Sequence, residues 1–523
     1  MYFRIQNRLK TLIDEHQSHL LCGGLKGLEK ESLRVNSDGK IAQTAHPKKL
    51  GSALTNPFIT TDYSEALLEF ITPPFSETKD ALAFMESLHT FTYQHLGDEL
   101  LWGTSMPCIV EGESSIPIAQ YGQSNIAKMK HIYRIGLGHR YGKNMQAIAG
   151  IHFNYSLPED FWPAYQKIEG DRQSLQDFTS QSYFDMTRNL HRYGWLVLYL
   201  FGASPAICKS FLKNSSHHFD EYDRGTLYEP YGTSLRMSDI GYKNDSQSNI
   251  NISYNNLETY VDKLMSATHT PFSDYQSIGI KDNKGHYQQL NTNLLQIENE
   301  YYSNVRPKQI ASSGERPSLA LKKRGVRYVE LRSVDLGAFD TVGANEQQLY
   351  FLETFMIFCL LSDSPKFTTK EKISVDKNLT LVATKGRDPE LLLQRNNEVV
   401  SLKTWGLEIC REMTDVCNVL DAERTDKPYS SALNAQIKKL EHVELTPSAR
   451  ILHEMEKKQL PFFKFALEKS QEHQAYFKSK VLTPDQQQFL ERSSEKSTQD
   501  QLEIEKNDYL SFDEFLDQYF TQT

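Results

Sequence analysis

Cysteine is scarce in this chain. The six present in 523 residues, Cys22, Cys108, Cys208, Cys359, Cys410 and Cys417, show no C-x-x-C spacing. That excludes a zinc ribbon or a dense disulfide framework and suits reduced, buried thiols. Long apolar runs are also missing. The most apolar segment, Trp195 to Cys208, is shorter than a bilayer span and carries Gly202, Ser204 and Pro205. The N-terminus has charge within its first turns and no continuous apolar stretch, so no secretory signal is read and a cytoplasmic protein with no membrane partner is expected. Excess positive charge is absent too. With 58 Lys and Arg against 67 Asp and Glu, the net charge of −9 argues against nucleic-acid partners and anionic membranes. An acidic substrate or nucleotide therefore needs a local cationic site. There is no G-x-x-x-x-G-K-[ST] loop, no kinase catalytic-loop signature, no internal repeat and no low-complexity linker that forces a domain cut.

What is present suits a folded globule: 39% hydrophobic and 24% charged residues, with 27 Tyr and 27 Phe. The informative feature is a set of runs in which apolar residues alternate with ionisable ones. In Gly27-Leu28-Glu29-Lys30-Glu31-Ser32-Leu33-Arg34, Glu29 and Glu31 share one face only if the run is a strand, where they stand about 7 Å apart. Like charges at that spacing on a partly buried face need a cation, an arginine or water, although a solvated edge strand also fits the pattern. An Asp-Gly pair between Val35 and Ile41 signals a hairpin, so the sheet is expected to begin antiparallel. Residues 65–72 read as a strand that puts Glu69 beside Leu67 and Ile71, just after Asp62. Residues 150–157 alternate throughout, with Ile151, Phe153, Tyr155 and Leu157 on one side and His152, Asn154 and Ser156 on the other. In 326–335, Glu330 and Arg332 share a face, which suits either a plain ion pair or a functional site.

Other segments are read as follows. Residues 3–21, 79–100, 172–213 and 345–362 have helical spacing, and 363–480 is mainly helical. Residues 126–141 combine Lys128, Lys130, His131, Arg134 and Arg140 with Tyr133 and Tyr141, a basic aromatic patch whose default reading is a solvated helix face. The polar loop 231–242 carries Arg236, whose guanidinium suits a carboxylate. Residues 294–302 alternate like a strand, and Arg306 and Lys308 follow as a cationic pair. From 481 to 523 charge rises and apolar residues thin out, so a charged, loosely packed tail is expected.

If the four alternating runs are neighbours in one sheet, their polar faces converge. Glu29, Glu31, Asp62, Glu69 and Glu330 with one imidazole, His152, make an oxygen-rich set suited to Mg²⁺ or Mn²⁺ rather than zinc. Divalent ions so held, with Arg332 nearby, fit the binding of nucleotide phosphates.

The runs 27–35, 60–73, 201–208, 295–302 and 328–333 closely resemble the proteobacterial type of glutamate-cysteine ligase. The likeness extends from about residue 20 to about 365 and continues weakly through 445–452. It implies an α+β fold: a glutamine-synthetase-like curved, mainly antiparallel sheet forming the active-site face, with helices behind. Residues 1–365 would be the catalytic core, 366–480 a helical region packed on it and 481–523 the tail. It implies that ATP phosphorylates the side-chain carboxylate of L-glutamate and that the amine of L-cysteine displaces phosphate, giving γ-glutamylcysteine. The likeness assigns Glu29, His152 and Glu330 to one Mg²⁺ and Glu31, Asp62 and Glu69 to another, with Glu330 and Arg332 catalytic. Tyr133, Leu137, Gln146, Tyr242 and Tyr302 would line the cysteine pocket, Arg236 would bind a substrate carboxylate, and Arg306 and Lys308 would lie near the nucleotide. A monomer and feedback inhibition by glutathione are expected. A different carboxylate-amine ligase on the same scaffold, with another amine acceptor, remains the alternative.

Overall fold

A computed structural model describes residues 3–107, 109–212, 217–241, 250 and 252–522. Its centre is a seven-stranded antiparallel sheet. The strands are β1 (Leu25–Val35), β2 (Ile59–Thr61), β3 (Leu67–Ile71), β4 (Leu100–Leu101), β5 (Ile151–Ser156), β6 (Val305–Lys308) and β7 (Tyr328–Val334). They run in the order β2-β3-β1-β5-β7-β6, and β4 pairs with the end of β1. The polar alternation read from the sequence thus becomes a common face, because residues paired across antiparallel strands point to the same side. Glu31 lies opposite Glu69, Glu29 opposite both Ile71 and His152, and Glu330 opposite both Asn154 and Arg306.

Helices cover the other face. Those used below are α1 (Thr78–Tyr93), α2 (Asn125–Tyr141), α3 (Leu175–Tyr193), α4 (Glu346–Leu361), α5 (Pro428–Glu441), α6 (Phe462–Ser479), α7 (Pro484–Lys506) and α8 (Phe512–Phe520). Helix α1 packs behind β1 and β3, and α3 behind β6 and β7. Helix α4 is apolar nearly all round, as befits a helix buried on every side: residues 348–361 are all buried, and it packs against α3 and α5.

Three expectations change. The Asp-Gly turn forms, with Asn36 N–H donating to the Lys40 carbonyl at 2.9 Å, but it adds only a single bridge, Val35 to Ile41, and β1 finds its partners in β3, β4 and β5. Residues 294–302 do not form a strand. Glu298–Glu300 is a turn of 3-10 helix, and the alternating acids face inward to buried arginines: Arg140 Nη1 donates to Glu300 at 2.8 Å and Arg316 Nε to Glu298 at 2.9 Å.

The segment after 480, expected to be loosely packed, forms α7 and α8, each opened by a capping box. Helix α7 lies on α1 with Leu490, Ser494 and Ser497 buried, and α8 buries Leu516 and Tyr519 against Met129 and Ile132 of α2. Few apolar residues suffice here because a single stripe of each helix is covered.

Candidate active site

The site lies on the face of the sheet turned away from α1 and α3, where β1, β3, β5 and β7 deliver side chains from alternate positions. His152 is its hub. Its Nδ1 is 2.9 Å from Glu29 Oε2 and 3.3 Å from Glu330 Oε1, and its Nε2 is 3.7 Å from Glu31 Oε1. Among the described residues, Glu29, His152 and Glu330 have ligand atoms that all lie within 4.8 Å of one another. Glu69 and Asp62 stand on the β2–β3 side; the charge of Asp62 bears on Glu31, and those of Asp62 and Glu31 bear on Glu69. Glu31, Asp62 and Glu69 do not close to that spacing as a trio.

Cations enter from the opposite edge. Arg332 Nη1 donates to Glu330 Oε1 at 2.8 Å, and Lys308 Nζ is 3.5 Å from Glu330 Oε2. The electrostatics follow from this asymmetry. Burial works against the charge of Glu330, but Arg332 and Lys308 outweigh it and hold its carboxyl well below the usual range. Burial and the Glu330 charge work against Glu29, yet its hydrogen bond with His152 keeps it ionised below the ordinary value. His152 is opposed by burial and by Arg332, and its bonds to Glu29 and Glu330 raise it to about 9. On the far side, among the described residues, no lysine or arginine pairs as closely with Glu31 or Glu69. Burial raises Glu31, and burial with the charges of Glu29, Asp62 and Glu31 pushes Glu69 up to about 8.

The donor set fits a divalent cation. It holds more carboxylate than the adjacent cations neutralise, and two oxygens buried at the site, Glu330 Oε2 and Asn154 Oδ1, accept no hydrogen bond from the described residues. Asn154 is not ionisable, so it stands outside the set of charged residues read from the sequence. It lies two residues from His152 on β5, and its Nδ2 donates to Glu29 Oε1 at 2.9 Å. The alternation His152, Asn154, Ser156 held the signal, but an amide carries no charge to count.

The other candidates sort by contact. Gln146 Nε2 donates to the Tyr302 hydroxyl at 3.0 Å, and Gln296 Nε2 donates to the Tyr133 carbonyl at 3.2 Å. Leu137, on the same helix as Tyr133, is buried. The Tyr302 hydroxyl lies within electrostatic reach of Asp62 and Arg332. Arg236 is fully buried, with Nη2 donating to the Arg332 carbonyl at 2.9 Å and Nη1 3.7 Å from Asp335. It fits only because residue 150 is glycine: a Cβ there would fall 2.0 Å from Arg236 Nη2. The Gly150 N–H also donates to Glu31 Oε2 at 2.7 Å, so one small residue seats both groups. Arg306 is on the same face as Glu330, but its Nη2 donates to the carbonyls of Asn299, at 3.0 Å, and Tyr301, so it braces the chain after 298. Tyr242 lies outside the described residues.

This arrangement can hold divalent cations at one end of a sheet while an arginine faces them, as phosphoryl transfer requires. The comparisons agree. A family model described as glutamate-cysteine ligase matches residues 9–382. The chain belongs to the glutamate-cysteine ligase family. It is 47% identical over 520 residues to a glutamate-cysteine ligase of Alcanivorax borkumensis, covering 99% of each chain. To one of Pseudomonas fluorescens it is 45% identical, covering 98% of this chain and 97% of that one. Among solved structures, the glutamate-cysteine ligase of Francisella tularensis in complex with AMP superposes with a TM-score of 0.90 at 37% identity, over 95% of this chain and 98% of that one. A bifunctional glutathione synthetase from Pasteurella multocida matches with a TM-score of 0.71 at 26% identity, over 90% of this chain and 55% of that one. The family and the α+β fold expected from the sequence are thereby established, and the chain is a ligase.

Proposed function

We infer that this chain joins the side-chain carboxylate of L-glutamate to the amine of L-cysteine at the cost of ATP, giving γ-glutamylcysteine, ADP and phosphate. The observation that carries the reading is the convergence of Glu29, Glu31, Glu69, His152 and Glu330 from separate strands onto one face beside Arg332. The nearly full-length relatives named for this activity support it over a ligase with another amine acceptor.

Carboxylates are poor electrophiles, so the amide bond requires an activated acyl group. Transfer of the terminal phosphoryl group to the glutamate carboxylate provides it, the cysteine amine then attacks the acyl carbon, and phosphate leaves. Glu29, Glu31, Asp62, Glu69, His152 and Glu330 would hold Mg²⁺, or Mn²⁺ in its place, and the cations would neutralise the phosphate oxygens. Arg332 meets negative charge as it builds on the phosphoryl oxygens, and its bond to Glu330 fixes its direction. Arg236 would take a substrate carboxylate. Tyr133, Leu137, Gln146, Tyr302 and Tyr242 would wall the cysteine, and Lys308 with Arg306 would stand toward the nucleotide.

Among the described residues no helix is long and apolar enough to cross a membrane, and we place the enzyme in the cytoplasm as a monomer subject to inhibition by glutathione. Its parts would be a catalytic core to residue 365, helices to 480 and the α7–α8 segment.

The test is phosphate release. It should require Mg²⁺, glutamate and cysteine together. Equal release with ammonia or other amino acids in place of cysteine would instead support the alternative acceptor.

A further inference from the structure

The basic run on α2, whose default sequence reading is a solvated helix face, is partly turned inward. Lys130 and Arg134 lie one helical turn apart, and both stand over the ring of Tyr121, with Nζ of one at 5.1 Å and the guanidinium carbon of the other at 4.7 Å from its centroid. The ring is fixed at the edge of the acid cluster. Its hydroxyl reaches the carbonyl oxygens of Thr61 at 2.9 Å and Asp62 at 3.0 Å. Arg134 is committed to the chain, Nε donating to the Asp62 carbonyl and Nη1 to the Lys130 carbonyl.

Lys130 differs. Its side chain is half-buried, yet among the described residues its ammonium makes no hydrogen bond and has no carboxylate oxygen within 4.0 Å. Glu69 is the carboxylate whose charge reaches it. A half-buried ammonium that faces an aromatic ring and a second cation, Arg134, is incompletely compensated, and an arriving anion completes it. Position adds the direction. Arg332 and Lys308 enter the site from β7 and β6, whereas Lys130 enters from the opposite side, by β2 and β3, where among the described residues no lysine or arginine side chain pairs with the carboxylate of Asp62 or Glu69. When Glu69 is engaged by a divalent cation, the Lys130 ammonium on that side remains able to receive an oxyanion.

The geometry points to Lys130 as a substrate-binding residue that takes an oxyanion on the Glu69 side of the cluster. The oxyanion has two sources, a phosphate of the nucleotide or the free carboxylate of glutamate. The inference rests on the reading of this face as the phosphoryl-transfer site.

The experiment is steady-state kinetics of Lys130→Met and Lys130→Arg, each substrate varied in turn, with a thermal melt of each variant. Lys130→Met should raise KM at least tenfold for either ATP or glutamate, the affected substrate naming the source. KM for cysteine should stay within twofold, the melting temperature should not fall, and Lys130→Arg should restore most of the loss. All three KM values within twofold of the wild type would overturn the inference. So would a uniform rise in KM accompanied by a lower melting temperature, which is the mark of lost packing. Lys130→Gln carries the same expectation if the methionine variant does not accumulate. Glu330→Gln, measured alongside, separates the two readings. Full turnover there removes the site itself, whereas lost turnover there with an unchanged Lys130→Met removes only the role of Lys130.

Discussion

On the back of β1, Lys26 meets both oxygens of Glu353 at 3.0 and 2.9 Å, and the Tyr429 hydroxyl donates to the same carboxylate at 2.8 Å. Arg34 on that side is shared among Glu99, Thr44 and the Glu65 carbonyl. On the front of the same strand, Glu29 and Glu31 face Glu69, Glu330 and a single imidazole. Both faces bury charge, but only the front holds acids in excess of their cations. Burial of a charged group marks structure as readily as function. The excess of one sign, with oxygens that accept no hydrogen bond, is what points to a ligand.

The comparison breaks most visibly at Lys26. Lys26→Met strands the Glu353 carboxylate in the core and should cost about 3–5 kcal/mol in urea unfolding, with much of the loss recovered in the double variant Lys26→Met/Glu353→Leu. Arg332→Ala, on the front, should behave in the opposite way. It leaves Glu330 beside Lys308 and His152, so the loss of stability should be smaller than for Lys26→Met, while kcat falls about 10²–10³-fold, the scale of removing one donor to a developing oxyanion.

Acid sharpens the contrast. His46 and His473 are pushed down to about 4, first by burial and then by Arg34 and Lys30 respectively. A histidine held neutral in the fold binds its proton more readily when unfolded. Its contribution to stability is therefore full above its ordinary value of 6.5 and is lost as pH falls from 6.5 toward 4, by up to about 1.4 kcal/mol per pH unit for each residue. Urea midpoints measured from pH 7 to 4.5 should show this slope, and His46→Gln should flatten it.

The smallest effect belongs to Glu69. With its carboxyl raised to about 8 by burial and by Glu29, the metal-free protein already carries it protonated at pH 7. Glu69→Gln should then change metal-free stability by less than about 1 kcal/mol, yet show much less of the upward shift in melting temperature that Mg²⁺ is expected to give the wild type.

Most of the sheet was legible because period-two alternation is a local signal. The runs around Glu29, Glu69, His152 and Glu330 each gave their strand and its polar face, and antiparallel pairing did the rest. What failed was non-local. In 294–302 the same alternation is satisfied by Arg140 and Arg316 from distant segments, which turn a strand-like pattern into a buried 3-10 turn. Lys130 on α2 looked solvated because nothing in the sequence placed Tyr121 beneath it. The helices α7 and α8 looked loose because the sequence did not show the faces of α1 and α2 that cover their few apolar residues. Asn154 was passed over because its contribution is a carbonyl oxygen, whose place beside Glu29 only the register across β1 and β5 reveals.

On this reading the front of the sheet holds divalent cations through Glu29, His152 and Glu330. Titration of Mn²⁺ followed by electron paramagnetic resonance, on the wild type and on Glu330→Gln, tests it most directly. Bound Mn²⁺ is expected in the wild type, with at least tenfold weaker binding in a variant that remains folded. Equal binding by the two proteins would contradict it.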